Sequence, residues 1–380
     1  MFEHITNPRV QSGAYTPDLS KILGLSDLDA AQSEIETWPG YKRTELRNLN
    51  SLAVSHNLGG IFYKDEGDRF GLGSFKALGG AYAVKRLIAR LGTSDITVCC
   101  ATDGNHGRSV AWGAERFGCN CRIYIHSNVS EGRKKAIERF GAKVVRTGGN
   151  YDDSVRQAAK DAADHNWYVV SDTSYPGYTD IPKDVMAGYM LMAHEAFDQA
   201  SEKPTHLFLQ GGVGGLAAAV LATSWQRYGD KRPRFIVAEP DRAACIARSI
   251  EAGRPQIVEG ELDTIMAGLA CGEVSLLAWE LINAGTHDAI IIDDDAAISV
   301  MRTLAAPTGV DPTIVAGESA TCGLAAALQA ANIPAMRAKL ELSESSQIMV
   351  FGTESDTDPQ LYTALVGMSA EQVRNAGSRL

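Results

Sequence analysis

The chain has 380 residues, is 45% hydrophobic and 22% charged, and carries a formal net charge of −10. These values suit a soluble globular protein of one large or two medium domains, and they argue against nucleic acid or an anionic membrane as the main partner. No apolar run reaches membrane-spanning length, and the opening MFEHITNPRV lacks the basic and apolar regions of a signal peptide.

Short apolar runs alternate with longer helical patterns. IFYKDE (61–66) reads as a strand, and a helix follows over about 75–91. ITVCCAT (96–102), CRIYIH (121–126), AKVVRT (142–147) and WYVVSD (167–172) are then strands, separated by helices near 106–117, 130–140 and 151–164. That βα alternation indicates a small parallel sheet. A helix over 182–200 leads to the strand THLFLQ (205–210), the glycine loop GGVGG and the helix LAAAVLATSW. RFIVAEP (234–240), IIIDDD (290–295) and QIMVFGT (347–353) resume the parallel pattern. The simplest reading is two α/β domains, one inserted within the other, with the ligand crevice beyond the carboxyl ends of the strands. The acids of Asp293-Asp294-Asp295 suit a helix start rather than a metal cluster, and no catalytic metal is expected. Seven cysteines, an odd number, show neither zinc spacing nor a disulfide framework. They read as buried hydrophobes in a reducing cytoplasm.

Three segments at element boundaries carry candidate chemistry. In Gly71-Leu72-Gly73-Ser74-Phe75-Lys76 a lysine follows a Gly/Ser turn at a helix start. Burial and the positive helix end both disfavour its ammonium form, and a neutral amine is what condensation with a carbonyl requires. Alone, this reads more readily as a solvated helix-start lysine. Ala101-Thr102-Asp103-Gly104-Asn105-His106-Gly107 joins a buried strand to a helix, and its N–H groups can bind a carboxylate. Alone, it could be an ordinary turn capped by Asp103 or Asn105. Gly211-Gly212-Val213-Gly214-Gly215 can cradle a phosphate. It lacks the Lys-Ser/Thr ending of a nucleoside-triphosphate loop.

Together, in this order, the three segments resemble the fold type II family of pyridoxal-5'-phosphate (PLP) enzymes, the tryptophan synthase β-like group. The finer similarity is to the diaminopropionate ammonia-lyases. It lies in GLGSFKALGGAYA (71–83), ATDGNHGRSVAW (101–112), SDTSYPGYTDIPKDVMAGY (171–189), MAGLACGEVS (266–275), GESATCGLA (317–325) and GTESDTDP (352–359). Dehydratases of the group usually carry serine where Asp103 stands. The glycine-rich phosphate loop and Ser74 before Phe75 depart from the family pattern, in a loop that tolerates small residues.

The resemblance implies an α/β fold with two open, twisted, mainly parallel sheets flanked by helices. The cofactor would lie in the cleft between a large domain of residues 1–90 and 196–380 and a small inserted domain of residues 91–195. It implies that Lys76 holds PLP, that Gly211, Gly212, Val213, Gly214 and Gly215 bind its phosphate, and that Asn105 meets the ring oxygen. Thr353 would face the pyridine nitrogen, with Glu318 near the ring. The implied reaction is α,β-elimination of D- and L-2,3-diaminopropionate to pyruvate and two ammonia. Lys76 would be the base for the L-isomer and Asp103 the base for the D-isomer. Asp103, Gly104, His106 and Asp172 would contact substrate, with His106 in a supporting rather than a basic role. A buried carboxylate pairs well with a β-ammonium and poorly with a neutral hydroxyl, so Asp103 and Asp172 would favour a diamine over serine. Without the resemblance Asp172 reads as a strand-end turn residue. A serine or threonine dehydratase, or a non-catalytic homologue that kept the fold, are the alternatives. A cytoplasmic homodimer is implied, with no nucleic acid or membrane partner.

Overall fold

The apolar runs of the sequence become two separate sheets in the computed structural model, which describes residues 2–102, 104–149 and 151–377. The described strands are β1 (Phe2–Thr6), β2 (Leu46–Asn48), β3 (Gly60–Asp65), β4 (Thr97–Ala101), β5 (Asn120–Ile125), β6 (Lys143–Arg146), β7 (Tyr168–Val169), β8 (His206–Gln210), β9 (Arg234–Pro240), β10 (Asp288–Ile292) and β11 (Gln347–Gly352). The larger sheet has the order β1-β10-β9-β8-β11-β3-β2, and the smaller one β6-β5-β4-β7. All pairs are parallel except the two edges of the larger sheet, where β1 runs antiparallel to β10 and β2 antiparallel to β3. HLFLQ and DAIII are buried at every position, as expected for strands covered by helices on both faces.

Two expected strands are displaced, each for a local reason. The strand expected over 290–295 is β10, over 288–292. Asp293 leaves the ladder because its side chain accepts the Ala296 N–H and caps the helix Asp294–Ala305. The strand expected over 167–172 pairs only over 168–169. The Val170 carbonyl is taken instead by His106 Nε2 at 2.8 Å, so the chain turns away toward Asp172. The edge strands β1 and β2 went unread because they are short and half-exposed, and they join the sheet antiparallel.

The helices Ala77–Leu91, Asp180–Gln199 and Gly215–Tyr228 pack in series. Residues 215–225 of the last are buried throughout, and its run of alanines brings the helix backbone close to its neighbours. Residue 195 falls inside the helix Asp180–Gln199, so we propose that the seam between the two units lies ahead of Asp180. The segments that carry candidate chemistry follow β3, β8 and β11 in the larger sheet and β4 and β7 in the smaller. They therefore meet where the carboxyl ends of both sheets face one crevice.

Candidate active site

After β3 the chain makes a tight turn at Arg69–Gly71, with Phe70 at φ 54°. The turn is held by charge. Arg69 is buried and donates to both oxygens of Glu66, at 2.7 and 2.8 Å, and to both oxygens of Glu195, at 2.6 and 3.0 Å. Phe75 N–H then bonds Thr353 O at 3.0 Å, which fixes Lys76 at the start of the helix Ala77–Leu91. Lys76 Nζ donates to Asp172 Oδ2 at 2.7 Å, and the two side chains are 20% and 17% exposed.

The expected neutral amine is corrected by this pair. Burial alone would lower Lys76, but the Asp172 carboxylate overrides it and holds the ammonium well above the usual lysine range. Burial likewise pushes Asp172 up, and the Lys76 charge more than reverses it. The lysine becomes a nucleophile only when its proton leaves.

Asp103 lies outside the described residues. In the rest of its turn, Thr102 Oγ1 accepts the N–H groups of Gly104 and Gly107, each at 3.0 Å. Among the described residues the N–H groups of Asn105 and His106, at the start of the helix Asn105–Phe117, have no acceptor and suit an anion. The Asn105 amide is engaged at both ends: Nδ2 donates to Glu354 Oε2 at 2.5 Å, and Oδ1 accepts from Arg108 at 2.8 Å. A contact with a ring oxygen would share the Asn105 Nδ2 group with Glu354. His106 Nδ1 lies 3.8 Å from Asp172 Oδ2.

The glycine loop begins under Glu239. A Cβ on Gly211 would stand 2.7 Å from Glu239 Cγ, and one on Gly214, at φ +92°, would stand 2.8 Å from Ile282 Cδ1. Gly211 and Gly214 are thus bare backbone by steric necessity. Within the described residues the N–H groups of Gly212 and Val213 have no acceptor, and they stand with the first turn of the helix Gly215–Tyr228. That set fits a phosphate. The loop also adjoins the lysine: a Cβ on Gly215 would be 4.0 Å from the Asp172 carbonyl. Ser275 ties the pieces together, its N–H on Val213 O at 2.9 Å and its hydroxyl on Ser174 Oγ at 2.7 Å.

Thr353 Oγ1 accepts from Gln210 Nε2 at 2.9 Å. The same Nε2 donates to the Phe351 carbonyl, also at 2.9 Å. A carbonyl can only accept, so the amide orientation is set, and the Thr353 hydroxyl hydrogen is free to donate. Glu318 accepts from Arg133 at 3.2 Å. Burial, and then the charge of Glu354, push Glu318 up to about 8.

Sequence reasoning missed Glu354, Gln210 and Tyr189, and it left Arg133 unplaced. Glu354 stood in the quoted GTESDTDP segment beside Thr353, and Tyr189 closed the quoted 171–189 segment. Arg133 reaches both Glu318 and, at 3.7 Å, Asp358. Among the described residues no group of three or more His, Cys, Asp or Glu is placed to hold a metal ion.

The bare N–H groups of the glycine loop, the Lys76 amine and the Thr353 hydroxyl meet in one crevice. Comparison with known proteins agrees. The chain matches the family described as "Pyridoxal-phosphate dependent enzyme" over residues 37–353. It is 38% identical over 374 residues to the diaminopropionate ammonia-lyase of Escherichia coli K12, covering 93% of this chain and 94% of that one. A crystal structure of the Escherichia coli enzyme in complex with an aminoacrylate-PLP azomethine reaction intermediate aligns with a TM-score of 0.90 at 36% identity, over 96% of this chain and 97% of that one. The biosynthetic L-threonine dehydratase of Haemophilus influenzae is more distant, at 27% identity over 79% of this chain and 53% of that one. The chain belongs to the pyridoxal-phosphate dependent enzymes and, within them, to the family of the diaminopropionate ammonia-lyases.

Proposed function

We propose that the PLP-loaded protein takes 2,3-diaminopropionate, D or L, and with one water converts it to pyruvate and two ammonia. The supporting observation is the Lys76–Asp172 pair at 2.7 Å, set beside a glycine cradle in the crevice between the sheets. Bound there, the cofactor supplies the electron sink that makes the substrate α-proton acidic.

The chain's own residues do the rest. The loop Gly211–Gly215 binds the phosphate through backbone N–H groups and the start of its helix. Thr353, oriented by Gln210, donates to the pyridine nitrogen, and a neutral donor leaves that nitrogen less protonated than a carboxylate partner would. The N–H groups of Asn105 and His106 hold the substrate carboxylate, with Gly104 permitting its close approach. Lys76, once freed as an amine, takes the α-proton of the L-isomer. Asp103 takes that of the D-isomer. Asp172 holds the distal amine as an ammonium and so favours its departure. Glu318 and Glu354 line the ring side of the crevice.

Asp172 needs a cationic partner when Lys76 gives up its charge. A diamine provides one and serine does not. We propose further that the protein works in the cytoplasm as a homodimer. Among the described residues the cysteines form no disulfide, and no helix is long and apolar enough to cross a membrane.

The test is pyruvate release by the holoenzyme from D- and L-diaminopropionate, with serine and threonine as controls. A higher kcat/KM on serine or threonine would make the protein a dehydratase, and no turnover with PLP bound would make it a binding homologue.

A further inference from the structure

Two buried polar atoms without a hydrogen-bond partner flank the Lys76–Asp172 pair: His106 Nδ1 and Tyr189 Oη. Buried polar groups are normally satisfied, so two orphans around one ion pair need a reason. We infer that Asp172, His106 and Tyr189 form a three-acceptor cage for a substrate ammonium, which selects a second amine over a hydroxyl. The inference rests on the diaminopropionate reading above and names the residues that enforce it.

The chemistry of each atom is fixed by its surroundings. His106 Nε2 faces the Val170 carbonyl at 2.8 Å. A carbonyl cannot donate, so Nε2 carries the hydrogen and Nδ1 presents a bare lone pair. Burial keeps the ring neutral by lowering its pKa. That lone pair stands 3.8 Å from Asp172 Oδ2, a spacing at which a donor between them can serve both.

Tyr189 is built into place by two glycines. A Cβ on Gly79 would lie 2.4 Å from Tyr189 Cε1, and one on Gly188 would lie 2.0 Å from the Leu78 carbonyl. Without those methyls the helix Asp180–Gln199 lies close against the helix that Lys76 begins. The phenol then packs on Phe75, ring centroids 4.6 Å apart, with Lys76 Nζ 5.8 Å from the Tyr189 ring centre. Its hydroxyl is near enough to the Lys76 ammonium to feel both its charge and a hydrogen bond from it, although not one of good geometry. Burial pushes its pKa up, so it stays a neutral phenol with lone pairs to offer.

In the structure the Lys76 ammonium holds one corner of this cage. Service as the cofactor lysine would take that ammonium and its three N–H donors away, leaving the Asp172 carboxylate beside two unfilled acceptors. An ammonium has three N–H donors, one for each acceptor. A hydroxyl has one donor, and leaves the carboxylate charge unmatched.

Tyr189→Phe keeps the ring and removes one acceptor, and His106→Gln keeps a donor for Val170 while moving the acceptor away from the Nδ1 position. Each holoenzyme is titrated with 2,4-diaminobutyrate and with 2-aminobutyrate, and binding is followed by the cofactor absorption band. The kcat/KM ratio of diaminopropionate to serine is measured in parallel. Losing one hydrogen bond to a charged group should weaken diamine binding and lower that ratio about tenfold, with 2-aminobutyrate binding unchanged. Equal losses for both ligands, or no change in either variant, would overturn the cage. A wild-type preference for serine would instead defeat the substrate reading, which separates the two failures.

Discussion

Replacing Glu195 by glutamine should lower the melting temperature by several degrees, although Glu195 touches no part of the crevice. Its Oε2 accepts from Lys64 Nζ at 2.9 Å and Arg69 Nη2 at 2.6 Å, and its Oε1 accepts from Arg69 Nη1 at 3.0 Å and Tyr41 Oη at 2.9 Å. Glu66 supplies the second carboxylate to Arg69. Two cations and two carboxylates thus sum to zero, with all four side chains at most 1% exposed. Burial pushes Glu195 up, but Arg69 and then Lys64 pull it below the usual range. Its contribution is therefore present above its unfolded pKa near 4.5 and fades as pH falls through the lower folded value. The amide keeps the shape and leaves one buried positive charge unmatched, at a cost of about 4 kcal/mol. An unfolding entropy of about 2.1 cal/mol/K per residue gives about 0.8 kcal/mol/K for this chain, so the shift is about 5 °C. Calorimetry of wild type, Glu195→Gln and Glu195→Gln/Lys64→Met at pH 7 and one scan rate measures it. The double variant, with its excess charge removed, should recover more than half of the loss. A single variant melting within about 1 °C of wild type, against the several degrees expected, would refute the reasoning.

Asp172→Asn should destabilise the cofactor-free protein. Lys76 is raised and its share is lost only as pH climbs past 10.5, while Asp172 is lowered and its share is lost as pH falls below 3.8. The gap in melting temperature should therefore be widest between those limits and close outside them. Gly214→Ala puts a side chain at φ +92° and against Ile282, and strain of about 1–3 kcal/mol should appear as weaker PLP binding in a fluorescence titration. Glu318 keeps a proton in the fold up to about 8 that the unfolded chain releases near 4.5. The wild type should therefore lose stability relative to Glu318→Gln as pH rises across that window. Parallel denaturant curves at pH 5 and pH 9 test the sign.

What the sequence disclosed depended on whether the cause was local. Strands buried on both faces, such as HLFLQ and DAIII, announce themselves as unbroken apolar runs. Gly211 and Gly214 mark a backbone with no room for Cβ atoms, and a glycine run shows as such in the sequence. The edge strand Phe2–Thr6 carries no such signal, because its partner lies at 288–292. The same holds for charge. The helix-start lysine suggested a neutral amine, and its true state depends on a carboxylate 96 residues away. Glu354, Gln210 and Tyr189 were within view as letters. Their importance comes from Asn105, Thr353 and Lys76 across the fold, and no local spacing encodes that.

The seam between the two sheets is closed by polar bridges, and this ties cofactor loading to substrate choice. From the larger-sheet side Lys76 reaches Asp172 at 2.7 Å, and Glu354 takes Asn105 at 2.5 Å. From the smaller-sheet side Arg133, on the helix Glu131–Glu138, reaches Glu318 at 3.2 Å. Of these bridges only Lys76–Asp172 pairs two opposite charges held ionised; Glu354 meets the neutral Asn105 amide and Glu318 is pushed up to about 8. Using Lys76 as the cofactor lysine would take its ammonium out of this arrangement and leave Asp172 without that partner, at the place proposed for the distal amine of the substrate. A substrate with a second ammonium restores the balance, whereas one with a hydroxyl leaves a carboxylate stranded, which is costly in a buried setting. Preference for a diamine then follows from the demand the loaded cofactor creates, and the same pair that blocks Lys76 in the cofactor-free protein becomes the selector in the loaded one.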